Sequence, residues 1–279
     1  MGWILIFSLS FLFLGCEDIE TQLGIEKNNE KTLSWFEPKE GDSWFMQMEG
    51  STIRKDVEIH FLNLFNISEA TIVSLQKSGS KVICQFSAGV YDNKNSYDNR
   101  LFPKMAVGNL VSANNLGRYW IDINNKDIQS IMEKRVVFAS EKGCDGISIT
   151  DSNLDRKITG FYTSYLDQID FNKNLIEIAH QNELSIGFKN VLYQIRDISE
   201  NIDFVTSENC YLLDECYQYE QFTKLDKPLF NIEFNIDNLY EDKVKLENLC
   251  LTSKAYNVET ILFDDILDGT YKYSCENNF

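Results

Sequence analysis

Eight short runs of apolar residues recur along this chain, and that repetition limits its possible folds more than any other feature. Several runs are nearly continuous rather than alternating, as in strands that are buried on both faces of a parallel sheet. The eight predicted strands are Trp44–Met48, Val57–Phe65, Lys81–Phe86, Gly146–Thr150, Leu184–Lys189, Asp203–Thr206, Pro228–Glu233 and Thr260–Phe263. Helical patterns lie between them at Glu69–Ser78, Asp127–Lys142, Phe171–Asn182, Gln194–Asn201 and Asp242–Tyr256. This alternation predicts an α/β fold, a single (β/α)8 TIM barrel.

The N-terminal residues have the pattern of an export signal. The apolar run Trp3–Leu14 is too short to span a bilayer and has the length of a signal-peptide core. It ends at Gly15-Cys16, the pattern of a bacterial lipoprotein cleavage site. We therefore expect a signal peptide at 1–15, lipidation of Cys16, a polar tether at 16–40 and the barrel at 41–279. The protein would be exported and held at the membrane by a lipid anchor; an ordinary secretory signal and a retained anchor are the alternatives.

The remaining six cysteines are an even number, which in an exported chain favours disulfides over metal ligands. Cys210 and Cys216 are close enough to close one loop, and Cys250 and Cys275 are placed to tie the C-terminus to the last helix. Cys84 and Cys144 lie in or beside apolar strands, where a buried free thiol and a bridge are both reasonable. With two His residues and no CxxC, we expect neither a metal site nor a cofactor.

The charge balance restricts the partners. The chain has 26 basic and 43 acidic residues, a net charge of −17. Such a chain lacks the basic surface that binding to a nucleic-acid backbone needs, and it is compatible with a cationic ligand.

Polar residues follow several predicted strands, at the barrel face where TIM-barrel chemistry takes place. Carboxylates predominate there, and the chain has only two His residues for acid–base work. Glycoside hydrolysis is the common reaction that needs two carboxylates and nothing else. The residues at the strand ends are Tyr91 and Asp92, Asp151 and Asp155, Lys189 and Asn190, Glu208, and Glu233.

Several segments in order resemble the endo-α-1,4-polygalactosaminidase family of glycoside hydrolases, which has a TIM-barrel catalytic domain. The resemblance covers nearly the whole mature chain, from about Trp44 to Cys275. The matching pieces are Lys81–Gly89, Arg118–Asp122, Cys144–Ile147, Thr159–Phe161, Ala179–His180, Gly187–Asn190, Ser207–Cys216 and Pro228–Glu233.

The resemblance implies a glycoside hydrolase that acts on a galactosamine-containing polysaccharide through Asp151 and Glu208. We expect a retaining mechanism with Asp151 as the nucleophile and Glu208 as the general acid/base, although the order of the two roles is open and Asp155 is the alternative to Asp151. Retention requires the two carboxyl groups to lie about 5–5.5 Å apart, and inversion roughly 6.5–9.5 Å. The implied sugar-binding residues are Gln85, Tyr91, Asp92, Asp122, Asp155, Lys189, Asn190 and Glu233.

The chain departs from the family pattern near the expected site. Family members carry Glu-Pro-Asp-Asn before a second Asp, where this chain has Ser148–Asp155, and Val191 replaces an Asp that usually follows Lys-Asn. These changes leave two other interpretations of the function open. One is a surface lipoprotein that binds carbohydrate on a degenerate hydrolase barrel, and the other is a hydrolase for a different glycan.

Overall fold

The computed structural model describes residues 34–50, 53, 56–114, 116–275, all within a compact unit that spans residues 33–279. The predicted signal peptide, the lipidation site Cys16 and most of the predicted tether lie outside the described residues.

Eight parallel strands form a curled sheet, and all eight predicted strands are confirmed. They are β1 (Trp44–Gln47), β2 (Ile59–Asn63), β3 (Lys81–Ser87), β7 (Gly146–Thr150), β8 (Ser185–Lys189), β9 (Phe204–Glu208), β10 (Leu229–Phe234) and β11 (Val258–Phe263), adjacent in that order, and a short antiparallel β12 (Tyr273–Ser274) follows β11. Phe45 of β1 and Phe263 of β11 bring their ring centres within 5.5 Å. The backbone N–H groups of Met48 and Glu49 donate to the Leu267 carbonyl at 2.8 and 3.0 Å. These contacts join the first and last parallel strands, as a TIM barrel requires.

Helices follow the strands on the outside of the sheet. They are α1 (Glu69–Lys77), α2 (Lys126–Glu141), α3 (Tyr165–Gln181), α4 (Ile195–Ile198), α5 (Glu220–Thr223) and α6 (Lys243–Ala255). Helix α3 begins six residues before the predicted start at Phe171, because Ser164 and Asp167 form a capping box that satisfies the first free N–H groups. None of the described helices is long and apolar enough to cross a membrane.

A small antiparallel sheet is inserted between β3 and α2. It consists of β4 (Val90–Asp92), β5 (Val107–Leu110) and β6 (Arg118–Ile121), in the order β4-β6-β5. The sequence indicates only its last strand, as an extended piece at Tyr119–Ile123. Asp92 and Arg118 are paired across β4 and β6, so the insert places both charges at one edge.

The core has two layers. Aromatic side chains of Trp44, Phe61, Phe204 and Phe230 pack against one another inside the barrel, with ring centres 5.2–6.1 Å apart. A Cβ on Gly187 would lie 2.2 Å from the Phe204 ring, so only glycine leaves room for this packing. A larger apolar cluster fills the space between the strands and the helices.

The described residues contain three disulfides. Cys84–Cys144 joins β3 to the segment before β7, Cys210–Cys216 closes the loop after β9, and Cys250–Cys275 ties the C-terminal segment to α6. The bridge between Cys84 and Cys144 decides between the two readings of that pair. Disulfides of this number are typical of exported proteins.

The barrel base, at the N-terminal ends of the strands, holds the first described residues. The Trp35 ring stacks on His180 with centres 4.0 Å apart, and its Nε1 donates to Asp203 Oδ1 at 3.0 Å. His180 Nε2 lies 3.0 Å from the other oxygen of Asp203, which is the residue just before β9. The part of the predicted tether that the structure describes is therefore fastened to the barrel.

Candidate active site

The candidate site lies at the C-terminal ends of β3, β7, β8 and β9. Phe204 belongs to the inner layer of the barrel, and side chains along a strand alternate between its two faces. Glu208, four residues further along β9, therefore also faces the inside. By the same period Lys189 faces inward from β8, because Gly187 touches the inward ring of Phe204.

Glu208 is held by the two residues that end β8. Lys189 Nζ forms an ion pair with Glu208 Oε2, and both side chains are partly buried, at 18% and 31% exposed. Asn190 Oδ1 accepts the backbone N–H of Glu208 at 2.9 Å. Asn190 has a positive φ of 55°, which asparagine tolerates better than most residues. Lys189 and Asn190, both predicted to bind sugar, thus act on Glu208 itself.

Asp151 follows β7 directly and also has a positive φ of 55°, a strained conformation that often marks functional sites. Its Oδ2 lies 3.5 Å from Arg118 Nη2 and 3.2 Å from the Thr150 hydroxyl. Gly89 packs against its backbone so closely that a Cβ there would lie 2.0 Å from the Asp151 carbonyl oxygen. Asp151 is therefore oriented by the inserted sheet and by the turn after β3.

Arg118 lies between two carboxylates, since its Nε is 3.9 Å from Asp92 Oδ2. A cavity of about 360 Å³ opens beside this cluster, and its wall includes Gln85, Asp92, Arg118 and Thr150. Tyr91 is directed toward an aromatic cluster, with its ring centre 5.1 Å from that of Phe102. Two predicted sugar-binding residues, Gln85 and Asp92, are thus brought together at one cavity next to Asp151.

The side chain of Glu233 does not face the candidate site. Phe230 and Ile232 face the barrel interior, so Glu233 faces outward from β10. It is 0% exposed, and its carboxylate accepts the N–H groups of Tyr211 at 2.7 Å and Leu212 at 3.4 Å. Burial raises the pKa of Glu233, while the bonds from Asn231 and the loop act in the opposite direction. The structure places this carboxylate under the loop that follows Glu208.

Two further predicted residues lie apart from the ion pairs of Asp151 and Glu208. Asp122 comes at the far end of β6 from Arg118, where its Oδ1 accepts the N–H of Asn124 at 3.0 Å. Asp155 lies in a short 3-10 turn after Asp151, with its side chain 8% exposed. Burial raises the pKa of Asp155, and the nearby Arg156 opposes that shift.

Arg118 was not predicted as a site residue, although it begins the segment Arg118–Asp122 that carries the family resemblance. A charge that contacts two carboxylates from a separate small sheet can be recognised only when the sheet's pairing is known. Three buried amides were also not predicted, Gln168 and Asn172 on α3 and Gln194 just before α4.

Among the described residues, one group has the composition of a metal site: Cys210, Cys216 and Glu233, with potential ligand atoms within 4.8 Å of one another. Both sulfurs are in a disulfide, however, and the carboxylate accepts backbone N–H groups. These atoms do not fit a metal ion in this oxidation state.

Comparisons with known proteins agree with the barrel fold. The model of glycoside-hydrolase family GH114 matches residues 25–278. The crystal structure of Aspergillus fumigatus Ega3 in complex with galactosamine has a TM-score of 0.80 and 28% sequence identity, over 87% of this chain and 98% of Ega3. The glycoside hydrolase domain of PelA from Pseudomonas aeruginosa shares the fold, with a TM-score of 0.60 and 12% identity over 81% of this chain and 96% of that domain. No curated protein sequence matches this chain.

Proposed function

The chain belongs to glycoside-hydrolase family GH114, and we propose that it hydrolyses an α-1,4-linked galactosamine-containing polysaccharide with Asp151 and Glu208 as its catalytic carboxylates. The observation that carries this proposal is the pair of carboxylates at the ends of β7 and β9, each held by a cation of its own at the same barrel face.

In the proposed retaining mechanism, Asp151 attacks the anomeric carbon while Glu208 gives a proton to the leaving oxygen. The C–O bond to the leaving sugar breaks as the bond to Asp151 forms. Glu208 then takes a proton from water, which attacks the same carbon and releases Asp151. Arg118 and Lys189 orient the two carboxylates, and side-chain order of this kind reduces the barrier by removing reorganisation.

The substrate class follows from charge and from the related structure. A free sugar amine is a cation at neutral pH, and the chain carries a net charge of −17. Ega3, which matches this chain over most of its length, was crystallised with galactosamine. Asp92 and Gln85, in the cavity beside Asp151, are the proposed contacts for the sugar amine and hydroxyls.

The test is hydrolysis of partially deacetylated α-1,4-linked polygalactosamine, with oligosaccharide products measured by mass spectrometry. We expect the substitutions Glu208→Gln and Asp151→Asn each to lower kcat by about 10²–10⁴-fold, the usual contribution of a general acid or base and a lower bound for a nucleophile. Asp155→Asn is the matched control, because Asp155 is the alternative nucleophile. If Asp155→Asn abolishes cleavage while Asp151→Asn retains it, the nucleophile is Asp155. Full activity of both Glu208→Gln and Asp151→Asn would refute the site.

We also propose that the protein is exported and anchored through lipidated Cys16. The three disulfides support export, and Gly15-Cys16 after the apolar run supports lipidation. Cells that express the Cys16→Ser variant should release the protein from the membrane fraction, or retain it as an uncleaved precursor. Equal incorporation of labelled palmitate into the variant and the wild type would contradict the assignment.

A further inference from the structure

An exposed aromatic ring lies on a loop at the barrel face that holds the candidate site. Tyr193 lies on the loop after β8, four residues beyond Lys189, and is 58% exposed. The guanidinium carbon of Arg156, on the loop after β7, lies 3.7 Å from the centre of the Tyr193 ring. This cation–π contact occupies one face of the ring, while more than half of the residue's surface remains exposed.

The segment just after Tyr193 is also anchored to α3. The hydroxyl of Tyr165, the first residue of α3, bonds to Asp197 and lies 3.3 Å from the Tyr193 carbonyl oxygen. Burial and the bond to Asp197 raise the pKa of Tyr165 to about 12. The hydroxyl therefore remains protonated, and able to donate, at any pH at which the protein would work.

Buried amides fasten the two loops to α3 and to each other. Gln168 Oε1 accepts the N–H of Leu154 at 2.7 Å, and its Nε2 donates to Asn172 Oδ1 at 3.0 Å. Asn172 Nδ2 donates to Gln194 Oε1 at 2.6 Å, and Gln194 Nε2 donates to the Ser152 carbonyl at 2.9 Å. All three amide side chains are 2% exposed or less. A satisfied buried network of this kind fixes the loops that carry Arg156 and Tyr193.

An aromatic ring held in place before binding loses little conformational entropy when a ligand covers it. A sugar ring has one face of C–H groups that can pack on an aromatic ring, and carbohydrate sites use such rings with a few polar groups around them. We propose that the exposed face of Tyr193 is a sugar subsite, which takes a hexosamine ring of the polymer beyond the units that flank the cleaved bond. The subsite rests on the proposed function, since it needs a polymeric substrate that crosses the mouth.

The test measures kcat/KM against substrate length, using galactosamine oligosaccharides from the shortest that is cleaved up to the polymer. Tyr193→Ala should lower kcat/KM about tenfold on the long substrates, through KM, and leave the shortest one unchanged. Arg156→Gln should give a smaller loss with the same dependence on length, because the ring loses its support. Tyr162→Ala is the matched control: this tyrosine is 84% exposed near the end of the same loop as Arg156, and a subsite confined to Tyr193 predicts that its loss has no effect at any length.

If Tyr193→Ala lowers kcat/KM equally at all substrate lengths, the ring acts on the fold. If kcat/KM does not change, no sugar reaches the ring. Either result overturns the subsite. If the wild type cleaves none of these substrates, the proposed function fails. Affinity electrophoresis in gels that contain the polymer then still tests the subsite, which stands if Tyr193→Ala binds more weakly than Tyr162→Ala and falls if the two bind alike.

Discussion

The buried ion pair between Asp98 and Arg135 gives the sharpest prediction about stability. Both side chains are 2% exposed, and the guanidinium meets the carboxylate through two bonds of 2.5 and 3.0 Å. Arg135 Nη1 also donates to the carbonyl of Ser87 at 2.6 Å, at the end of β3. The rings of Phe65 and Phe102 lie 5.2 and 5.4 Å from its Cζ. Asp98→Asn therefore leaves a guanidinium in an apolar site without its counter-charge.

The magnitude follows from that burial. Removal of one partner of a buried pair costs about 3–5 kcal/mol, because the remaining charge stays desolvated. A domain of this size has a total stability of about 5–15 kcal/mol, so this single change would remove a large share of it. At about 2–4 °C per kcal/mol for a domain of this length, Tm should fall by roughly 6–20 °C.

Urea unfolding and thermal melts would check this prediction with disulfides intact. Glu220→Gln is the control, since the Lys224–Glu220 pair is 68% and 49% exposed and should contribute less than about 1 kcal/mol. The double variant Asp98→Asn/Arg135→Met should be more stable than the sum of the two single losses predicts. A shift for Asp98→Asn no larger than that of the control would refute the reasoning.

Three other perturbations have defined outcomes. Burial raises the pKa of Glu233 above its ordinary value of 4.5, so the contribution of this carboxyl to folding is full below that value and declines as pH rises through the raised pKa. The difference in urea midpoint between wild type and Glu233→Gln should therefore change with pH in that window. A constant difference would contradict this. Asn172→Leu leaves buried partners in the amide network unsatisfied and should lower the free energy of unfolding by about 2–4 kcal/mol. Because the loop after β7 carries Asp151, kcat should also fall at temperatures well below Tm. An unchanged kcat would show that this loop needs no such support. Trp35→Ala should lower stability by about 1–3 kcal/mol without a change in kcat, since its contacts with His180 and Asp203 lie at the barrel base; a comparable fall in kcat would mean that the base affects the mouth.

Much of the fold can be predicted from the sequence because strands buried on both faces leave a strong local signal. The early start of α3 could also have been predicted, because Ser164-x-x-Asp167 is a capping pattern. Arg135 is a further case: it occupies the apolar stripe of α2 with Ile128, Ile131 and Met132, which marks a buried charge that needs a partner. The identity of that partner, Asp98, depends on how a loop of the inserted sheet folds back.

The site could be predicted only in part. The rule that chemistry lies at the strand ends directs attention to the region of Asp151 and Glu208, but it does not say which way a side chain faces. Counting in twos along β10 from Phe230 would have placed Glu233 on the outer face. Arg118 and the amides of α3 contact residues 14–33 positions away along the chain, and no local pattern encodes such contacts.

The stacking of Trp35 on His180 has a consequence for how the protein can be attached to a surface. The chain enters the barrel at the pole opposite the strand ends that carry Asp151 and Glu208. Residue 34 therefore lies on the side of the barrel opposite the candidate site. A fusion partner joined directly at this residue should leave the strand ends free for a polysaccharide, whereas attachment through the inserted sheet would obstruct them.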